Sequence, residues 1–310
     1  MRLAIVGQQA FGKSVLEAFL ARGTTIAGVF CAPEKPGAKP DPLRVAAEER
    51  GLQVFQLRSL KDEQAAQTLK ALNVDLGVMA YVLQFAPQTF VNIPKHGTIQ
   101  YHPSLLPRYR GPSSVNWPII KGDTQTGLTI FRPSDGLDEG PIVLQKEVPI
   151  GPHDTLGTVY FDRLFPLGVE ALLEAADLVI SGQSEEIPQR EDLASYEGWC
   201  RDPESRINWQ AHVDQIYNLI RGCNPSPGAW TMVRGKKVRI YDVVCHRTRT
   251  FATVRGKPGE VCAIGDQTIE VAAQGGRLEL RSVRVDPGPK IAAGALAAAM
   301  QIAVGAALES

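Results

Sequence analysis

The chain has 310 residues, 44% of them hydrophobic and 21% charged, which gives a globular protein long enough for two domains and excludes a disordered or fibrous one. Lys+Arg and Asp+Glu both number 33, so there is no basic excess of the kind that grips a polyanion, and nucleic acid is disfavoured as a partner. The five cysteines (Cys31, Cys200, Cys223, Cys245, Cys262) contain no C-x-x-C pair, which argues against a zinc or redox site and for free thiols in a reducing cytoplasm.

The chain opens directly into an apolar strand over 3–7, without the long apolar region of a signal peptide. Val15, Leu16, Phe19 and Leu20 share one face of a predicted helix over 12–22, and 26–30 reads as a second strand. Gly7-Gln8-Gln9-Ala10-Phe11-Gly12 approaches a dinucleotide fingerprint, but Gln9 stands where the second glycine must let a pyrophosphate close. No nicotinamide or flavin cofactor is therefore expected. Residues 32–42 hold four prolines and a glycine and read as a loop. Helices over 43–51 and 62–72 alternate with strands over 54–57, 76–80 and 97–101. This alternation predicts an α/β fold, a Rossmann-like parallel sheet with helices on both faces.

Strands over 126–131 and 142–148 follow, then a helix over 155–178 and a polar, irregular crossing over 182–205. A helix over 207–221 precedes five short strands, at 229–233, 237–244, 259–264, 268–273 and 278–283, which predict a small β-barrel, OB-like in kind. Residues 291–310 are rich in Ala and Gly, carry one charge (Glu309) and lack the Leu, Ile and Phe density of a membrane span, so they read as a tail or linker. The expected domains are 1–203, 204–290 and this tail. No membrane partner is expected.

The chemistry concentrates in His96-Gly97-Thr98-Ile99-Gln100-Tyr101-His102-Pro103-Ser104-Leu105-Leu106-Pro107-Arg108-Tyr109-Arg110-Gly111. A strand ends in His102, and a proline-bracketed loop follows, where α/β sheets place their sites. His102 can exchange a proton near neutrality, and Pro103 restricts its backbone. Asp138, in Asp135-Gly136-Leu137-Asp138-Glu139-Gly140, could pair with it; a turn carboxylate capping local amides is the plainer reading, and the residues alone leave both open. Oxygen ligands there are too few for calcium, so no metal is expected. Gln100, two residues before His102 on the same strand face, could polarise a carbonyl and stabilise an oxyanion. Gln84-Phe85-Ala86-Pro87 leave another strand's carboxyl end and should border the same crevice.

Together Gln100-Tyr101-His102, Ser104-Leu105-Leu106-Pro107, Arg108-Tyr109-Arg110-Gly111 and Gly136-Leu137-Asp138-Glu139-Gly140 resemble the Asn-x-His, S-L-L-P, R-x-R-G and G-L-D-x-G motifs of the folate-dependent formyltransferase family. Leu164-Phe165-Pro166, Tyr196-Glu197-Gly198, Ile207-Asn208-Trp209 and Pro227-Gly228-Ala229-Trp230 make the chain most similar to the hydrolase domain of 10-formyltetrahydrofolate dehydrogenases. The resemblance implies an enzyme that cleaves the N10-formyl group of 10-formyltetrahydrofolate to give tetrahydrofolate and formate, or passes that group to an amine of a nucleotide sugar, aminoacyl group or methionyl-tRNA. It implies His102 as proton donor and Asp138 as essential for activating water or positioning the formyl group. It implies that Gln84, Phe85 and Ala86 contact the folate mostly through backbone, with Ser104, Leu105, Arg110 and Asp135 as further binding residues. It implies a carrier domain and a further catalytic domain as partners beyond residue 310. One departure stands out: amine-formylating members have Asn at the position of Gln100 and the dehydrogenases an apolar residue, which leaves the acceptor open.

Overall fold

A computed structural model describes residues 1–248 and 256–309, which divide into two units. The first comprises Met1–Ser114, Gly127–Val148 and Phe161–Glu197. Its sheet has seven strands, β1 (Arg2–Gly7), β2 (Thr25–Cys31), β3 (Val54–Gln56), β4 (Leu76–Ala80), β5 (Thr98–His102), β6 (Gln125–Phe131) and β7 (Ile142–Pro149), in the order β3-β2-β1-β4-β5-β6-β7. All of β4 and all but the first residue of β1 are buried, as apolar runs covered on both faces must be. Helices α1 (Gln9–Ala21), α2 (Pro42–Glu48), α3 (Glu63–Ala71) and α4 (Gln88–Val91) connect the first five strands, which run parallel.

β6 breaks the expected parallel sheet: it pairs antiparallel with β5, His102 opposite Thr129. A parallel neighbour needs a crossover that packs back on the sheet. The only helix between β5 and β6 is α5 (Asn116–Lys121), which belongs to the second unit, so the chain re-enters at the end it left. The helix expected over 155–178 is also interrupted. Thr155 caps a short α6 (Leu156–Val159), a π-helical turn covers Tyr160–Leu164, and α7 runs Phe165–Ile180. Phe11 of α1 stacks on Tyr101 of β5 with ring centroids 4.4 Å apart and meets Phe165 edge-on at 5.2 Å, contacts worth about 1 kcal/mol each beyond the area they bury. Gly168 of α7 makes room for this stack, because a Cβ there would lie 2.5 Å from the Tyr101 ring.

The second unit comprises Val115–Thr126, Pro149–Tyr160 and the described residues from Gly198 on. Its helix α8 (Val213–Gly222) starts later than expected because His212 caps it, the ring Nδ1 accepting from the Asp214 amide. Strands β8 (Ala229–Val233), β9 (Lys236–Arg247), β10 (Val261–Ile264), β11 (Ile269–Ala273) and β12 (Gly276–Val285) pair antiparallel in the order β10-β11-β12-β9-β8, with β13 (Ile291–Ala292) on β12. The Ala-rich segment is part of this unit rather than a loose tail; only Ser310 lies outside the described residues. Helix α9 (Ala293–Ala299) buries Ala293, Leu296 and Ala297, and Ile302 and Leu308 join the same core. Residues 305–309 then bridge both edges of the sheet. Gly305 and Leu308 donate to Val261 and Gly259 at 2.8 Å, and Glu309 donates to Met232 at 3.1 Å. The edge strands are thereby covered, as a barrel requires. The boundaries differ from those read in the sequence, since 115–126 and 149–160 belong with the second unit.

Candidate active site

β1 and β4 are neighbours whose following helices diverge, the point at which α/β sheets open a crevice beyond their carboxyl ends. Gly7 is required there: a Cβ would stand 2.1 Å from the Ala80 carbonyl oxygen. The α1 amino end, where a dinucleotide phosphate would dock, is filled by the protein itself. The Asp41 carboxylate accepts the Gln9 amide at 2.9 Å and the Leu43 amide at 2.9 Å. Among the described residues no group of three His, Cys, Asp or Glu is placed to hold a metal.

β5 delivers His102 to the same edge of the sheet. Its Nε2 lies 2.9 Å from the Tyr109 carbonyl oxygen. A carbonyl only accepts, so Nε2 carries a proton and Nδ1 presents a lone pair in the neutral ring. Nδ1 faces Asp138 Oδ2 at 3.6 Å, too long for a direct hydrogen bond. Asp138 Oδ2 also accepts the Gly111 amide at 2.9 Å. Both side chains are only 7% exposed, so their interaction is little screened by solvent.

The loop after His102 is fastened at every turn. Ser104 donates to the Arg108 carbonyl at 2.7 Å, and Thr129 of β6 donates to Ser104 O at 2.7 Å while accepting the Leu106 amide at 3.1 Å. Gln145 of β7 donates to Leu106 O at 2.8 Å. The Leu106–Pro107 peptide is cis. Gly111 sits at φ +103° with no room for a Cβ, which would meet the Glu197 carbonyl oxygen at 2.3 Å.

The residues singled out in the sequence fall into three groups. His102 and Asp138 come together. Gln100 is half-buried on β5, opposite Phe131 of β6, and its carboxamide makes no hydrogen bond among the described residues. Phe85 is exposed on the loop after β4, beneath the Lys61 ammonium, while Ala86 is buried. Asp135 is exposed and Leu105 half-buried. The side chains of Gln84, Ser104 and Arg110 are committed to the protein. Gln84 holds the Leu57 and Arg58 carbonyls at 2.9 Å, Ser104 is fully buried, and Arg110 grips Glu191 and Gln189. The Glu191 contact raises the Arg110 guanidinium above its ordinary pKa and holds the Glu191 carboxyl below its own. Thr129, Gln145, Gln189, Glu191 and Ser195 shape the site without a signal in the sequence. The last three lie in the irregular stretch over 182–205, where no periodicity marks them.

The family model described as Formyl transferase matches residues 1–176, and that described as Formyl transferase, C-terminal domain, matches residues 201–300. The chain belongs to the formyl transferase family. Among its relatives in that family, the mitochondrial 10-formyltetrahydrofolate dehydrogenase of Homo sapiens is 39% identical over 246 residues, 78% of this chain but 26% of the relative. The chain thus spans about a quarter of the length of that dehydrogenase. The methionyl-tRNA formyltransferase of Syntrophus aciditrophicus (strain SB) is 36% identical over 289 residues, 92% of this chain and 91% of the relative. Among solved structures, HypX from Aquifex aeolicus in complex with tetrahydrofolic acid superposes with a TM-score of 0.70 at 18% identity, over 98% of this chain and 48% of that one. An N-formyltransferase from Helicobacter canadensis, in complex with folinic acid and dTDP-3-aminofucose, gives 0.69 at 18% identity, over 90% and 98%. At these identities the likeness is one of fold.

Proposed function

We propose that this formyl transferase takes 10-formyltetrahydrofolate as its formyl donor and transfers the formyl group to water, giving tetrahydrofolate and formate. The observation that carries the reading is the buried pair of His102 Nδ1 and Asp138 Oδ2, 3.6 Å apart, at the carboxyl edge of the family's sheet. A water oxygen attacks the formyl carbon, and its proton passes to His102 Nδ1 with Asp138 orienting the water and balancing the imidazolium. The carbonyl electrons move to oxygen, and Gln100, two residues before His102 on the same strand face, is assigned the N–H that stabilises it. The C–N10 bond then breaks, and N10 takes the proton back from the imidazolium. The exposed apolar residues after β4, Leu83 and Phe85, offer a face for a flat aromatic donor, which supports the folate assignment. Five free cysteines suit a reducing compartment, which supports a cytoplasmic reading. No described helix is long and apolar enough to cross a membrane.

One observation favours a second reading, in which an amine is the acceptor: the methionyl-tRNA formyltransferase matches along 91% of its own length, second unit included. The deciding experiment measures tetrahydrofolate released from 10-formyltetrahydrofolate without added acceptor. Steady turnover by the wild type, lost in His102→Ala and Asp138→Ala, is expected. Folate binding without turnover would reject hydrolysis and point to the amine.

A further inference from the structure

Asp138 adopts φ +57°, a left-handed conformation that a side chain disfavours, in a loop of two glycines. Gln189, from the segment after α7, reaches in and donates through Nε2 to the Asp138 carbonyl at 2.7 Å and the Gly140 carbonyl at 2.8 Å. Its Oε1 accepts from Arg110 Nη2 at 2.9 Å and Nε at 3.2 Å. Two carbonyls on one side and a guanidinium on the other leave the carboxamide a single orientation, since neither partner could accept it reversed. Arg110 is itself held by both oxygens of Glu191 and by its backbone, which donates to Ser195 at 2.9 Å and accepts from Glu197 at 3.0 Å.

We propose that Gln189 is the positioning residue for Asp138, resting on the formyl-transfer reading above for the consequence in turnover. The contacts form a closed ring. Gly111 takes the Asp138 carboxylate by its amide; Arg110, the residue before it, takes Gln189; and Gln189 takes the Asp138 backbone. Asp138 is therefore tied to one dipeptide through its carboxylate and, by way of Gln189, through its backbone carbonyl, and the carboxylate's distance from His102 is set by that ring. Loss of the carboxamide frees the loop to relax from its left-handed conformation and moves the carboxylate off the Gly111 amide.

The test compares Gln189→Glu and Gln189→Leu in the full chain. Gln189→Glu keeps the size and the Arg110 contact but sets a lone pair against two carbonyl oxygens, so a mere packing role would tolerate it. Both variants are expected to lower kcat with the formyl donor by about 10²-fold, the scale of an ångström's misplacement, while KM stays within about threefold. Hydrogen exchange at the Gly111 amide is expected to quicken in both. If Gln189→Leu does not fold, Gln189→Glu carries the test alone. Turnover by Gln189→Glu within about twofold of wild type, or unchanged Gly111 protection whatever the turnover, would overturn the proposal. Should the wild type itself not turn over, the formyl-transfer reading fails, and the Gly111 amide still decides whether Gln189 positions Asp138.

Discussion

Two loops leave adjacent strands at the same edge of the sheet and are built in opposite ways. The loop after β4 exposes Tyr81, Leu83 and Phe85 at 43%, 58% and 46% and makes few polar contacts beyond Gln84. The loop after β5, with its partner carrying Asp138, buries His102, Ser104, Arg110 and Asp138 and ties them to one another or to the chain. A surface that receives a flat apolar ligand must leave apolar area in water until the ligand covers it. Groups that move protons need the reverse, a dry setting in which each donor and acceptor is fixed beforehand. On the proposed function, one sheet edge divides these two demands between neighbouring strands.

Substitutions in the two loops should therefore fail in different currencies. The largest effect is expected at the buried pair: His102→Ala and Asp138→Ala lower kcat by about 10²–10⁴-fold, the usual worth of a positioned acid or base, with folate affinity retained by equilibrium titration. A parallel loss of affinity would make the pair a binding element instead. Gln100→Leu removes the side-chain amide assigned to the oxyanion and is expected to cost about 10²-fold in kcat. A normal rate would assign the oxyanion to another donor. Gly111→Ala adds a Cβ where the backbone is left-handed and Glu197 O stands 2.3 Å away, so denaturant unfolding should show a loss of about 2 kcal/mol or more. Phe85→Ala lies on the other side of the contrast. Its stability should change by no more than about 0.5 kcal/mol, and its effect should be a several-fold rise in the donor's KM at unchanged kcat.

The same contrast explains how much was legible in the sequence. Strands buried on both faces announce themselves as apolar runs, and β4 was read over the residues it occupies. The reversal of β6 was not legible, because strand direction depends on where the intervening helix packs. The Ala-rich end read as a linker for a related reason. Its small residues allow close approach, as at Gly294, whose Cβ would lie 2.3 Å from the Gly265 and Asp266 carbonyl oxygens, and composition cannot tell close packing from slackness. In the site, His102 stood out through its strand and proline context, and Asp138 through the family motif. Arg110 stood out as well, but the direction of so long a side chain is set by Gln189 and Glu191, some eighty residues away in an aperiodic stretch.

The smallest expected effect concerns Glu191, and it separates the ring around Asp138 from its outer support. Arg110 holds the Glu191 carboxyl below its ordinary pKa, first by a hydrogen bond and then by charge. A carboxyl depressed in the folded state adds stability above its unfolded value, near ~4.3, and loses it as pH falls through the lower folded value. Wild type and Glu191→Gln should therefore differ most above about pH 5 and draw together progressively as pH falls below the unfolded value, with urea midpoints at pH 7 and pH 3 as the measurement. Glu191 is largely exposed, so added salt should shrink the difference at pH 7. Gln189 keeps its bonds to Arg110 and to the Asp138 carbonyl without Glu191, so kcat at pH 7 should stay within about twofold. A larger fall in kcat would show that the ring cannot stand without its exposed carboxylate, and would extend the buried machinery to the protein surface.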